Sequence, residues 1–154
     1  MTRKRLLVLV AASGSAALLL GAWGFQYIGG LAPCKMCIWQ RYPHGVAVIL
    51  GALAFAFPGV RPLPLLGALA AATTAGIGFY HAGVEQGWWE GPNSCTSSSI
   101  DGLTPDQLLD QILNAPLVRC DDIAWSLMGI SMAGWNGILS TLLVVLWIKS
   151  ALQK

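Results

Sequence analysis

The 154-residue chain carries only 16 charged side chains, 10% of the total, against about 25% in an ordinary soluble domain. Hydrophobic residues make up 55%, and the 18 glycines raise the apolar share to roughly two thirds, which excludes an ordinary soluble domain and a disordered chain alike. A formal charge of +2, with no basic run beyond Arg3 to Arg5, excludes the electrostatic footprint of a nucleic-acid binder.

Runs of about 20 apolar residues, the length that crosses a hydrocarbon core, stand where charges are absent. Four are expected: about 6–28, free of ionisable residues; about 39–57, interrupted near its start by Arg41 and His44; about 65–84, after the Pro58, Pro62, Pro64 cluster and carrying His81 near its end; and about 130–148. The predicted architecture is all-α: a polytopic membrane protein, one domain over 1–154, with a four-helix transmembrane bundle and outer loops at about 29–38 and 85–129. The first run continues through Trp23 and Phe25 to Ile28, too long for the apolar core of a cleaved signal peptide. Six of the nine basic residues, Arg3, Lys4, Arg5, Arg61, Lys149 and Lys154, fall on the face that holds both termini. The positive-inside rule makes that face cytoplasmic. All seven acidic residues lie in the long loop on the other side. Gly14, Gly21, Gly51, Gly67, Gly76 and Gly78 suit close helix packing in lipid, and Trp23, Trp88, Trp89, Trp135 and Trp147 fall where an aromatic belt belongs.

The long loop, about 45 residues from Glu85 to Gly129, far exceeds the roughly 15 residues beyond which a loop is usually functional or disordered. Thr104, Pro105 and Gln107 form a helix-start signature: an N-cap, a proline at the first helical position and a capping-box glutamine. Leu108, Leu109, Ile112 and Leu113 then make one apolar stripe before Asn114 and Pro116 stop a short amphipathic helix, which either caps the loop or lies on the bilayer surface. Asn93 to Ser99 is polar and serine-rich, an exposed and flexible segment by composition, and Ile123, Trp125, Leu127 and Met128 read as an interfacial stretch leading into the fourth span.

This topology sets all four cysteines on the outer side, Cys34 and Cys37 in the first loop and Cys95 and Cys120 in the second. A four-thiolate metal site wants two tight pairs, whereas Cys95 and Cys120 are 25 positions apart, so no metal is expected. Ile38 follows Cys37 in place of histidine, so C-x-x-C-H haem attachment is absent. Inert structural disulfides remain an alternative, although a C-x-x-C ring closes too small a loop to constrain the unfolded chain much. Redox work accounts for the spacing better, because a C-x-x-C dithiol forms and breaks its disulfide with little backbone motion. Cys34, Cys37, Arg41 and His44 are spaced 3, 4 and 3 apart, one face of a helix. Pro43 interrupts that stripe, either kinking the helix or marking its start. An arginine a turn inside a span is a functional signal. His81, at the same end of the third span, is a further candidate.

With Pro33-Cys34-Lys35-Met36-Cys37-Ile38-Trp39-Gln40-Arg41 in view, the chain resembles the bacterial disulfide bond formation protein B (DsbB) family. The resemblance runs over nearly the whole chain: four spans, C-x-x-C in the first outer loop, an arginine four residues past its second cysteine, a wider pair in the second loop, and Cys120, Trp125 and Trp135 in order. It implies a protein-dithiol:quinone oxidoreductase of the bacterial inner membrane, with its active cysteines on the periplasmic side. The implied partner is a thioredoxin-like dithiol oxidase of the DsbA kind, whose thiolate attacks Cys95 of a Cys95–Cys120 disulfide. Cys120 then attacks Cys34, and Cys37 is freed nearest the quinone. Arg41, with His81 and His44 as further candidates, would bind that quinone, either ubiquinone or menaquinone. Gln40 stands where some members carry an acid. A vitamin K epoxide reductase-like enzyme is the alternative membrane disulfide enzyme, but there the C-x-x-C is expected late in the chain, whereas here it opens the second span.

Overall fold

The computed structural model describes residues 2–92, 104–113 and 118–153. The Asn93 to Ser99 segment, Cys95, Asn114 and Pro116 lie outside them. Helix α1 spans Arg3–Tyr27, α2 Lys35–Ala56, α3 Pro62–Glu85, α4 Pro105–Leu113 and α5 Met132–Ala151. Helices α1, α3 and α5 are long and apolar enough to cross a membrane. Helix α2 is as long, at 22 residues, but Lys35, Gln40, Arg41, Pro43 and His44 crowd its first half. Helix α1 packs on α2 and α5, α2 on α3, and α3 on α5, so the four long helices close a ring.

Helix α2 begins earlier than its predicted span because Cys34 caps it: the Cys34 sulfur accepts from the Cys37 backbone N–H at 3.2 Å. Pro43 lies inside the helix and does not start it. Its missing N–H leaves the Trp39 carbonyl without its usual i+4 donor, a loss one helical turn can carry. The α3–α5 interface is the tightest seam. A methyl on Gly78 would come within 2.8 Å of the Gly137 backbone nitrogen and 3.0 Å of the Ala133 carbonyl, so glycine is what lets the two backbones meet. Gly14, Gly51 and Gly67 are packed against neighbouring helices as well, whereas Gly21 and Gly76 face open space and are not packing glycines.

Trp147 departs from the predicted aromatic belt. It is fully buried, surrounded by Val8, Ala11, Ala54, Ala68, Ala71 and Leu143. The alanines explain this: four small side chains in one buried cluster leave room that an indole fills. Trp88, at 71% exposure, remains free for an interfacial role.

The outer segments also depart from an all-α reading. Ser126–Leu127 (β1) and Ile130–Ser131 (β2) form a two-stranded antiparallel hairpin, and α5 starts only after it. Met128 and Gly129 both have positive φ, +54° and +77°, the pattern of a two-residue type I′ turn that glycine at its second position favours. Met132 N–H donates to the Trp125 carbonyl and Trp135 Nε1 to the Leu127 carbonyl, which tie the hairpin to α5. Helix α4 carries the expected capping box: Thr104 N–H donates to Gln107 Oε1 at 3.0 Å, and Gln107 N–H to Thr104 Oγ1 at 3.4 Å. Leu109 and Leu113 of its stripe are exposed.

Candidate active site

Four elements meet at one end of the ring. The α1–α2 connection brings Cys34, α2 brings Cys37, Gln40, Arg41 and His44, α3 brings His81 and Glu85, and the segment before the hairpin brings Cys120. Cys34, Met36, Val84 and Cys120 form a small buried cluster, with Cys37 and Val118 packed on it. Cys34 and Cys37 are both free thiols, their sulfurs 2.8 Å apart. Closing a disulfide there requires under about 1 Å of sulfur travel. Cys34 donates its thiol hydrogen to the Cys37 sulfur, and this bond, reinforced by burial, pushes the Cys34 thiol well above the ordinary cysteine range. The proton shared by the pair therefore resides on Cys34.

Cys120 is disulfide-bonded and fully buried. Arg119 and Asp121 flank it and pair through two hydrogen bonds, Nε to Oδ1 at 3.0 Å and Nη2 to Oδ2 at 2.5 Å. That pair holds the Asp121 carboxyl below its usual range.

His81 sits among the sulfurs. Its Nε2 lies 3.1 Å from the Cys120 carbonyl, 3.5 Å from Cys34 Sγ and 3.8 Å from Glu85 Oε1. Its Nδ1 is 3.0 Å from Gln40 Nε2. Cys34, Cys37 and His81 bring three possible metal-ligand atoms within 4.8 Å of one another. No local spacing signals that grouping, because His81 lies 47 positions from Cys34 in the chain.

On the other side of Cys37 opens a cavity of about 390 Å³ between α1, α2, α5 and the hairpin. Leu18, Ala22, Phe25, Trp125 and Leu139 give it apolar walls, and the Phe25 and Trp125 rings, 5.0 Å apart, pack where α1 meets the outer segment. Cys37, Gln40, Arg41, His44 and Asn136 supply its polar edge. Arg41 Nη1 donates to Gln26 Oε1 at 2.5 Å and Nη2 to the Ala22 carbonyl at 3.4 Å, while Nε is buried without a partner. His44 Nε2 bonds Asn136 Oδ1 at 2.9 Å, and its Nδ1 is likewise buried and unpartnered. A free donor and a free acceptor thus sit on one apolar cavity. Buried polar atoms left this way call for a missing partner.

Residues 4–149 match the family model described as "Disulfide bond formation protein DsbB". The chain belongs to the DsbB family. It is 35% identical over 153 residues to the "Disulfide bond formation protein B" of Verminephrobacter eiseniae, covering 94% of this chain and 84% of that protein. The proteins of the same name from an Acidovorax species and from Shewanella amazonensis are each 32% identical, covering 93% and 90% of this chain and 84% and 85% of theirs. No solved structure matches the chain significantly. Membership in the DsbB family, with three membrane-capable helices, makes this a membrane oxidoreductase of disulfide bond formation and sets aside the vitamin K epoxide reductase-like alternative.

Against the residues expected from the DsbB resemblance, the structure brings Cys34, Cys37 and Cys120 into one cluster and puts Cys37, Arg41 and His44 on one cavity. His81 is absent from the cavity lining and stands with the thiols. Sequence reasoning missed Asn136 and Gln26. Asn136 had a readable signal, a lone amide within an apolar helix, where an unsatisfied polar group is costly. Gln26, which holds Arg41, had none beyond its place near the end of the first span.

Proposed function

We propose that the protein is a protein-dithiol:quinone oxidoreductase of the bacterial inner membrane that reoxidises a periplasmic thioredoxin-like dithiol oxidase. In this reading all four long helices cross the bilayer, both termini are cytoplasmic, and Cys34, Cys37, Cys95 and Cys120 face the periplasm. The observation that carries it is the shared wall: one sulfur of a C-x-x-C pair and a half-buried arginine whose Nε–H is buried without a partner line the same apolar cavity. A quinone fits that donor set, because its ring and tail are apolar, its carbonyls accept hydrogen bonds and its reduced hydroxyls donate them. Arg41 Nε–H is the donor for a carbonyl oxygen and His44 Nδ1 the acceptor for a hydroxyl. When bound, ubiquinone or menaquinone supplies an acceptor for two electrons and two protons.

The protein's own thiols do the rest. A thiolate of the reduced partner attacks Cys95 Sγ of a Cys95–Cys120 disulfide. A partner–Cys95 bond forms, and the electron pair leaves on Cys120. Cys120 then attacks Cys34 of the oxidised Cys34–Cys37 pair and expels Cys37 as thiolate. Arg41, held at both terminal nitrogens by α1, keeps its Nε–H aimed without further loss of side-chain entropy.

Losing a hydrogen bond from a charged donor costs about 1.5–3 kcal/mol, roughly tenfold or more in affinity. Arg41→Ala is therefore expected to raise the KM for a short-chain quinone by about tenfold or more, with thiol exchange with the partner slowed less than about threefold. An unchanged quinone KM would remove Arg41 from the site.

A further inference from the structure

His81, Gln40 and Asn136 form a hydrogen-bond chain whose polarity the backbone dictates. Gln40 Nε2 donates to the Met36 carbonyl at 3.2 Å, and Asn136 Nδ2 donates to the Thr74 carbonyl at 3.4 Å. A carbonyl only accepts, so both amides have their nitrogen ends fixed. Gln40 Oε1 then accepts from Asn136 Nδ2 at 2.7 Å, and Gln40 Nε2 directs its second hydrogen to His81 Nδ1. His81 Nδ1 is thus the bare acceptor, and a neutral imidazole in that state carries its proton on Nε2. The Nε2–H points at the Cys120 carbonyl, with Cys34 Sγ beside it. A nitrogen holding that proton is a donor to the Cys120 carbonyl, not a metal ligand, which argues against a metal at the Cys34, Cys37 and His81 grouping.

We propose that His81 serves the thiols and not the quinone: its Nε2–H holds the Cys120 backbone against Cys34 and stabilises sulfur charge as these two cysteines exchange, while Gln40 fixes the tautomer that makes this hydrogen available. The proposal rests on the thiol relay described above. In that exchange the Cys120 thiolate attacks Cys34 Sγ of the Cys34–Cys37 disulfide. The Cys120–Cys34 bond forms, the Cys34–Cys37 bond breaks, and the electron pair leaves on Cys37 Sγ, with no further oxidant. Negative charge in the transition state lies mainly on the entering and leaving sulfurs, Cys120 and Cys37, and the His81 ring lies beside the central Cys34 sulfur at 3.5 Å and within 4.8 Å of the leaving Cys37 sulfur. Holding Cys120 in the same buried cluster as its target also removes much of the entropic cost of bringing two loops together.

The test uses the purified full-length protein with bound quinone, mixed with one equivalent of reduced DsbA, quenched with acid at set times, alkylated and mapped by mass. His81→Leu is expected to slow appearance of the Cys34–Cys120 bond by about tenfold or more, the worth of one charge-assisted hydrogen bond, while the KM for a short-chain ubiquinone stays within about twofold. His81→Gln, which returns an N–H donor, should recover part of the rate. In the wild-type protein labelled with ¹⁵N-histidine, the His81 resonances should show Nε2 protonated and Nδ1 bare, a readout that needs no variant to fold. A large rise in quinone KM with an unchanged exchange rate, or a proton on Nδ1, overturns the proposal and leaves the relay standing. Wild-type turnover without any Cys34–Cys120 bond overturns the relay and this role together.

Discussion

Replacing Asn136 with leucine perturbs the polar seam of the bundle at its centre. Asn136 reaches across to α2 through Gln40 Oε1 at 2.7 Å and His44 Nε2 at 2.9 Å, and to α3 through Thr74 Oγ1 at 3.1 Å. Interhelical hydrogen bonds in membrane proteins average about 0.6 kcal/mol each, so three are worth about 2 kcal/mol. The substitution also strands Gln40 Oε1 and the His44 N–H, both on buried residues, and each orphan costs about 1–3 kcal/mol. Because the stranded groups can relax toward the cavity, the lower end of that range applies, for a total of about 3–5 kcal/mol. The assay is reversible unfolding in mixed detergent micelles followed by helical circular dichroism. Adding His44→Leu to Asn136→Leu should cost less than the sum of the two, since one orphan disappears with its side chain. An Asn136→Leu protein within about 1 kcal/mol of wild type, or strict additivity in the double variant, would refute a connected seam.

Gly78→Val is expected to destabilise by about 1–3 kcal/mol in the same unfolding assay, because even its Cβ meets the Gly137 backbone, which cannot swing aside as a side chain can. Gly76→Ala, facing open space two residues earlier, should leave stability unchanged or slightly raise it through helix propensity. The Cys34 thiol is raised above its ordinary value of 9.0, chiefly by the bond it donates to Cys37. The folded protein thus keeps a proton that the unfolded chain releases. The resulting stability is fully present below pH 9.0 and is lost as pH rises beyond it. Thermal unfolding of the reduced protein should therefore show an alkaline loss that Cys34→Ser lacks. At neutral pH, iodoacetamide should label Cys37 ahead of Cys34, read by mass mapping.

Much of the helical frame could be read from where charges are absent. Arg3 to Arg5, the proline cluster near Pro62 and the apolar runs between them locate α1, α3 and α5 to within a few residues. The start of α2 could not be read this way, because a cysteine is an unusual N-cap and Pro43 resembles a helix start. Its role as a cap depends on Cys34 being extended while Cys37 is helical, a backbone condition that composition does not carry. The hairpin escaped for a related reason: Leu127-Met128-Gly129-Ile130 is a continuation of an apolar span by hydropathy, and only the positive φ at Met128 and Gly129 turns it. The C-x-x-C spacing and Arg41 stand out in the sequence as candidates, and the fold sets Cys37 and Arg41 on one cavity. His81 was visible as a candidate, but its sequence position cannot say which of two faces of α3 it serves. The partners it meets in the fold, Gln40 and the Cys120 carbonyl, lie 41 and 39 residues away.

The central claim is that the Cys34–Cys37 pair passes its electrons to a quinone. The most direct measurement starts from purified, fully reduced protein under anaerobic conditions, adds excess ubiquinone, and follows quinol formation by absorbance while alkylation and mass mapping count the thiols. The account predicts a disulfide between Cys34 and Cys37 and at least one quinol per chain, both abolished by Cys37→Ser. Quinol formation that survives in Cys37→Ser, or a thiol count that quinone leaves unchanged in the wild type, would contradict it.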